Sequence, residues 1–167
     1  SIIIPTFSAS LTLKECLASI FSSSFKDYEV IVVSDNSTDD SVKIASEFNI
    51  NIIELRQNKG PGNARNEGAK IALGDILLFI DSDVIINNDT LSLIIDKFTS
   101  GKVEAIQGVY SHEPTYESSA TQFYQSYLCY YVWPENKKYA TTLVTGCFAI
   151  RKEISKDFFS KMTTLKI

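Results

Sequence analysis

Asp81-Ser82-Asp83 is the stretch of this chain whose residue types and spacing carry the most chemistry. It follows an apolar run, Ile76-Leu77-Leu78-Phe79-Ile80, with the continuous pattern of a fully buried strand. In extended chain the two carboxylates point the same way, with Cα atoms roughly 6–7 Å apart. At an effective dielectric of about 20 their repulsion is on the order of 2–3 kcal/mol. A hard divalent cation removes that repulsion and can hold a diphosphate that two bare carboxylates would repel. A solvated acidic loop that merely closes the strand is the plainer alternative.

Such a pair needs a scaffold, and the chain alternates strand and helix signals throughout. Ile2-Ile3-Ile4 predicts a first strand ending at Pro5, and Leu13, Leu17, Ile20 and Phe21 recur at helical spacing. Tyr28 to Val33 is a strand-like run, followed by Asn36-Ser37-Thr38-Asp39, which supplies turn and N-cap chemistry for a helix with Val42, Ala45 and Phe48 on one face. Ile50, Ile52, Ile53 and Leu55 predict a third strand, and a helix from about Asn63 to Leu73 stops at Gly74. Asp75 to Ile80 is the fourth strand; Asn87-Asn88-Asp89 then caps a helix carrying Leu91, Ile94, Ile95 and Phe98. Val103 to Tyr110 predicts a further strand after Gly101, and another apolar strand follows Gly146. Continuous apolar strands separated by amphipathic helices predict an α/β fold: a doubly wound, mostly parallel sheet with helices on both faces.

In such a sheet the carboxyl ends of the strands share one edge, where ligands bind. Pro5-Thr6, Ser34-Asp35-Asn36 and Asp81-Ser82-Asp83 all fall there. Asp35 can accept from a base imide N–H or cap the next helix, and the same choice stands for Ser37 and Asp39. In Asn58 to Gly68, Gly60 and Gly62 let backbone approach a ligand, and Arg65 rides the first turn of the following helix. Its planar fork can reach a nucleobase carbonyl or a phosphate; a solvated arginine is the alternative. The stretch lacks the Gly-Lys-Ser/Thr of a phosphate-cradling NTPase loop.

Four segments in this order resemble the inverting family 2 glycosyltransferases: Ile2-Ile3-Ile4-Pro5-Thr6-Phe7, Val32 to Asp39, Asn58 to Gly68, and Gly74 to Asp83. The resemblance covers Ser1 to about Lys152 and implies the A-type nucleotide-sugar transferase fold. It implies that Pro5 and Thr6 line the base pocket, that Asp35 binds uracil and that Arg65 helps hold the nucleotide. Asp81 then contacts the ribose side, and Asp83 binds a manganese or magnesium ion on the diphosphate. The implied activity is inverting transfer from a UDP-sugar to a hydroxyl of a glycan or lipid-linked acceptor, as in cell-wall or polysaccharide biosynthesis. The chain departs from the family pattern in two places. Phe7 is followed by Ser8-Ala9-Ser10 rather than Asn-Glu or similar polar residues. The acidic motif that supplies the general base does not follow Gly146-Cys147-Phe148-Ala149-Ile150-Arg151, which places the base beyond Ile167; Glu135, Glu153 and Asp157 are the carboxylates otherwise in question.

Length and composition fit this reading. A chain of 167 residues is expected to form one domain, with residues 1–100 as the nucleotide-sugar half and 101–167 as a partial acceptor half, incomplete at its C-terminus. The start, Ser1-Ile2-Ile3-Ile4, lies inside a strand without an initiator Met, as expected for a piece of a longer chain. A hydrophobic content of 44% with 22% charged residues is that of an ordinary globular domain. The net charge of −4 and the absence of a Lys/Arg tract exclude a nucleic-acid surface. Cys16, Cys129 and Cys147 lack metal-like spacing and predict idle thiols in a reducing compartment. No apolar run approaches the ~18 residues of a membrane span. These features point to the cytoplasm, with peripheral association at the inner membrane face through the aromatic-rich stretch Phe123 to Trp133 as one use of that segment. Helical core packing is its other use, and His112, the one histidine, is expected at a polar surface or core edge. Two rival functions stand beside the transferase. A nucleotidyltransferase is expected to carry Gly and Arg after strand one, where this chain has Phe7-Ser8-Ala9-Ser10; a non-catalytic nucleotide-sugar-binding or scaffolding module has no need of a base.

Overall fold

The computed structural model describes residues 1–101, 103–109 and 146–155. The aromatic stretch, His112, Cys129, Glu135 and Asp157 lie outside the described residues. Among the described residues the elements run β1 (Ile2–Thr6), α1 (Leu13–Ser22), β2 (Val30–Ser34), α2 (Ser41–Ser46), β3 (Asn51–Glu54), α3 (Pro61–Ile71), β4 (Ile76–Ile80), α4 (Thr90–Ser100), β5 (Ala105–Gln107) and β6 (Cys147–Arg151), and the six strands are of one sheet. Their order in it is β3-β2-β1-β4-β6-β5. β1 to β4 are parallel to one another, and β6 runs antiparallel between β4 and β5.

Alternation along the strands explains the two layers. Ile2, Ile4, Val30, Val32, Leu78 and Ile80 face α1, α2 and α4 through Leu13, Leu17, Ile20, Ala45, Leu91 and Phe98. Ile3, Ile31, Val33, Leu77, Phe79, Phe148 and Ile150 face α3 through Ala64 and Ala72. Both sides of the sheet are therefore covered, which is why the strands carry apolar residues at nearly every position.

On the α3 side the layers touch at Gly68. A methyl group there would lie 2.5 Å from Ile3 Cγ2 and 3.1 Å from Val33 Cγ2, and both residues are fully buried. Gly68→Ala should therefore cost about 1–3 kcal/mol, the usual range for overpacking a core. Urea unfolding of the two proteins measures it.

Several boundaries differ from the sequence reading, each for a local reason. β1 continues through Pro5 to Thr6 because its pairing with β2 persists over its full length. β5 is shorter than Val103 to Tyr110, pairing only over Ala105–Gln107. α3 starts at Pro61, whose missing N–H falls where a helix needs no donor, and ends at Ile71 before the extended Ala72. Neither α2 nor α4 takes a side-chain bond from its N-cap residue, Asp40 or Asp89. Asn88, expected to cap α4, instead donates to the Ser22 carbonyl at 2.5 Å.

Candidate functional site

The carboxyl ends of β1 to β4 converge, as expected for a doubly wound sheet, and β6 begins beside them. Asp35 N–H donates to Thr6 O at 2.8 Å, Leu55 N–H to Ser34 O at 2.8 Å, and Asp81 N–H to Gly146 O at 3.0 Å. Pro5 interrupts the pairing of β1 with β4 at this edge. Ile2 N–H points to β2, where it donates to Glu29 O, so odd-numbered residues of β1 face β4. Position 5 is thus the next place where β1 would offer β4 a donor, and proline has none. β1 pairs with β4 only at Ile2 and Ile3, while its pairing with β2 runs on to Thr6. The β1–β4 ladder therefore stops short of Thr6 and Asp81.

Asp35 follows β2, on one side of β1, and is 1% exposed. Its carboxylate accepts from Lys59 N–H at 3.0 and 3.2 Å and from Gly60 N–H at 2.7 Å. Gly60 has φ +86°, a conformation that side chains resist. Of the two glycines read from the sequence as letting backbone approach a ligand, Gly60 thus gives its N–H to an acid of the protein itself. Gly62 does stand in open space.

Five residues further, Arg65 crosses to the other side. Its guanidinium donates to Asp81 Oδ1 at 2.5 Å, with 9% of the arginine side chain and 36% of the aspartate side chain exposed. Arg65 Nε is buried without a hydrogen-bond partner among the described residues. The solvated-arginine alternative is set aside by this burial.

The acidic pair is not extended, contrary to the sequence reading. Val84 N–H donates to Asp81 O at 3.0 Å, so Asp81 to Val84 close a turn with Ser82 and Asp83 at its centre. Repulsion is relieved on the Asp81 side by Arg65, while Asp83 is exposed and has no ion pair among the described residues. The turn and the residues after it are fastened to α1 by Cys16, read from the sequence as an idle thiol, and by Ser19, which the sequence did not single out. Cys16 Sγ lies 3.6 Å from Asp81 O, and Ser19 Oγ accepts from Ile86 N–H at 3.2 Å. Burial, with Asp83 and Asp81 adding to it, pushes the Cys16 thiol up to about 12. Burial and then Asp81 push Cys147 to about 11. Both thiols are protonated at neutral pH.

Asp39 was open between cap and ligand roles; it holds the loop after β1. It accepts from Ser10 N–H at 2.8 Å and from Ser41 N–H and Oγ at 3.1 and 2.5 Å. Ser37 Oγ accepts from Ser8 N–H at 3.2 Å, and Ser41 Oγ from Ala9 N–H at 2.8 Å. The density of Ser and Asp over 34–41 was the available signal, but its partners lie about thirty residues away. Burial alone would raise the Asp39 carboxyl, yet the bonds from Ser41 and Ser10 outweigh it and bring it down to about 2. A depressed acid stabilises the fold fully above its ordinary value near 3.8, and that contribution is lost as pH falls through about 2. Asp39→Asn should therefore flatten the stability-versus-pH curve between pH 4 and about 2, measured by urea unfolding at each pH.

Of the carboxylates considered as a base, Glu153 is described, and it is exposed. It follows Lys152, whose N–H donates to Asp75 O at the amino end of β4, the edge opposite Asp81. Among the described residues no group of three or more His, Cys, Asp or Glu side chains gathers to hold a metal. Any cation here would draw on one or two carboxylates and on ligand oxygens, an arrangement magnesium commonly adopts with phosphates.

The sequence profile of Glycosyl transferase family 2 matches residues 1–159. The chain belongs to that family. This family 2 glycosyltransferase is 39% identical over 99 residues to a poly(ribitol-phosphate) beta-glucosyltransferase of Bacillus spizizenii, covering 54% of this chain and 16% of the relative. TarS, a poly(ribitol-phosphate) beta-N-acetylglucosaminyltransferase of Staphylococcus aureus, is 32% identical over 99% of this chain and 32% of its own length. The chain thus spans a third or less of these two curated relatives. A crystal structure of S. aureus TarS 1–349 in complex with UDP-GlcNAc has a TM-score of 0.71 at 26% identity, covering 94% of this chain and 46% of that one. A mannosyltransferase from Pyrobaculum calidifontis in complex with GDP-Man and Mn2+ shares the fold, with a TM-score of 0.74 at 21% identity and coverage of 94% and 45%. The nucleotide-sugar transferase fold expected from the sequence is borne out. Family membership also sets the nucleotidyltransferase reading aside. No helix among the described residues is long and apolar enough to cross a membrane.

Proposed function

We propose that this chain binds a UDP-sugar at the carboxyl edge of β1 and β4 and takes part in inverting transfer of the sugar to a hydroxyl of a glycan or lipid-linked acceptor, in cell-wall or polysaccharide biosynthesis. The observation that carries the reading is the asymmetry of the acidic turn: Asp81 is paired with a buried arginine, and Asp83 is exposed beside it. Pro5 and Thr6 form the floor at the base end, with Asp35 behind them. Arg65 and Asp81 hold the ribose and diphosphate side, where the planar guanidinium is the group fitted to a nucleotide oxygen. Asp83 is the residue fitted to hold manganese or magnesium, together with diphosphate oxygens. Such an ion supplies positive charge to the leaving diphosphate. The acidic base that takes the acceptor proton is assigned to a segment outside the described residues, because Asp35, Asp39 and Asp81 are already bonded within the fold. The TarS structures with UDP and with UDP-GlcNAc support the choice of donor.

Calorimetry with UDP and CDP, with and without manganese, tests the reading. Tighter binding of UDP with the metal is expected, and equal affinity with and without it would overturn the metal assignment. If Asp35 also reads the uracil imide, Asp35→Ala should weaken UDP by about 1.5–3 kcal/mol and narrow its preference over CDP, since cytosine lacks that proton. An unchanged preference removes the base contact.

A further inference from the structure

We infer that Asp35 is a positioning residue for the Arg65–Asp81 pair, acting through the first turn of α3. Its carboxylate is 1% exposed and takes Lys59 and Gly60 N–H, the groups that lead directly into the helix. A carboxylate at this point satisfies N–H groups that the helix itself cannot and lies at the positive end of its dipole. Gly60, at φ +86°, and Pro61 then fix the direction in which α3 leaves. At the other side of Arg65, Gly68 seats the helix on Ile3 and Val33 with no room for a methyl group. Arg65 lies between these two fixed points. Its described polar contact is with Asp81, and its Nε has no partner among the described residues, so the placement of the helix decides where the guanidinium stands. In the sheet order β2-β1-β4, two acids that follow the strands either side of β1 hold one helix: Asp35 by its start and Asp81 by its arginine. The inference concerns how the nucleotide site proposed above is set, and it does not require that Asp35 touch the base.

Hydrogen exchange without any nucleotide gives the first arm. In Asp35→Asn the amides of Lys59, Gly60 and the first turn of α3 should exchange at least about tenfold faster, while those of α1 stay unchanged, as loss of charge-assisted bonds at that junction requires. Unchanged exchange across α3 overturns the inference. The second arm is a cycle of Asp35→Asn with Arg65→Lys, read as UDP affinity in manganese. Each single variant should lose about tenfold or more, and the double variant little beyond the worse single one, because both act through the same guanidinium. Losses that multiply overturn the inference, since a separate contact to the base or a general loss of stability would behave so. Gly60→Ala strains the same junction while Asp35 is kept and should reproduce both results; it decides the matter if Asp35→Asn does not fold. If the parent protein binds no UDP, the functional reading fails while the exchange arm still tests the linkage from Asp35 to α3.

Discussion

Asp83→Asn should remove manganese-dependent binding of UDP and leave the fold intact. The side chain is exposed at the centre of the Asp81 to Val84 turn and has no ion pair among the described residues, so its loss breaks no described contact. Asparagine keeps the shape and one oxygen but loses the charge that a hard cation selects. Removing a group that only orients a metal ligand costs 10- to 100-fold in affinity, so loss of a direct ligand should weaken the metal-dependent part by about 100-fold or more. Calorimetry with manganese present and absent measures that part, and thermal unfolding checks the fold. A variant that keeps the parent's manganese response would move the metal away from Asp83.

Asp81→Ala should destabilise the protein more than Arg65→Met, although the two substitutions break the same bond. Removing the aspartate strands a guanidinium whose side chain is 9% exposed; removing the arginine leaves a carboxylate 36% exposed, which water reaches. Breaking a buried pair from its more buried side should cost about 3 kcal/mol. That corresponds to a fall in Tm of roughly 6–12 °C for a domain of this size. Arg65→Met should cost about 1 kcal/mol or less, near the value of an exposed pair. The double variant should recover most of the loss caused by Asp81→Ala, because no charge is then left buried. Equal effects of the two single substitutions would mean that water reaches the arginine as easily as the acid.

The frame of this fold was legible because its signals are local. Ile76 to Ile80 has the apolar continuity of a strand covered on both faces, and Leu13, Leu17 and Ile20 have the spacing of one helix face, so strand ends and the residues following them could be placed on a common edge. What stayed hidden depends on partners distant in sequence. Nothing near Asp35 announces that its carboxylate closes on Lys59 and Gly60, and nothing near Asp39 points to Ser10. The Asp81 to Val84 turn escaped because the dyad pattern of two acids assumes extended chain, whereas its closing bond is a backbone contact without a side-chain signature. β6 reads as one more apolar strand, yet its antiparallel place between β4 and β5 is set by where the chain returns to the sheet. Gly68 looks like an ordinary helix glycine until Ile3 is set against it.

Pro5 gives the proposed nucleotide site an origin in subtraction. Two neighbouring strands zip together unless one withholds a donor, and β1 withholds one on its β4 side while keeping its β2 side knitted to the end. Every other residue type at that position would carry an N–H aimed at β4. Pro5→Ala would therefore act as an added fastener: it would extend the β1–β4 ladder, tighten the empty fold and close the edge where the proposed site takes a base. Stability and occupancy would then move in opposite directions from a change that removes no contact with the ligand's charge.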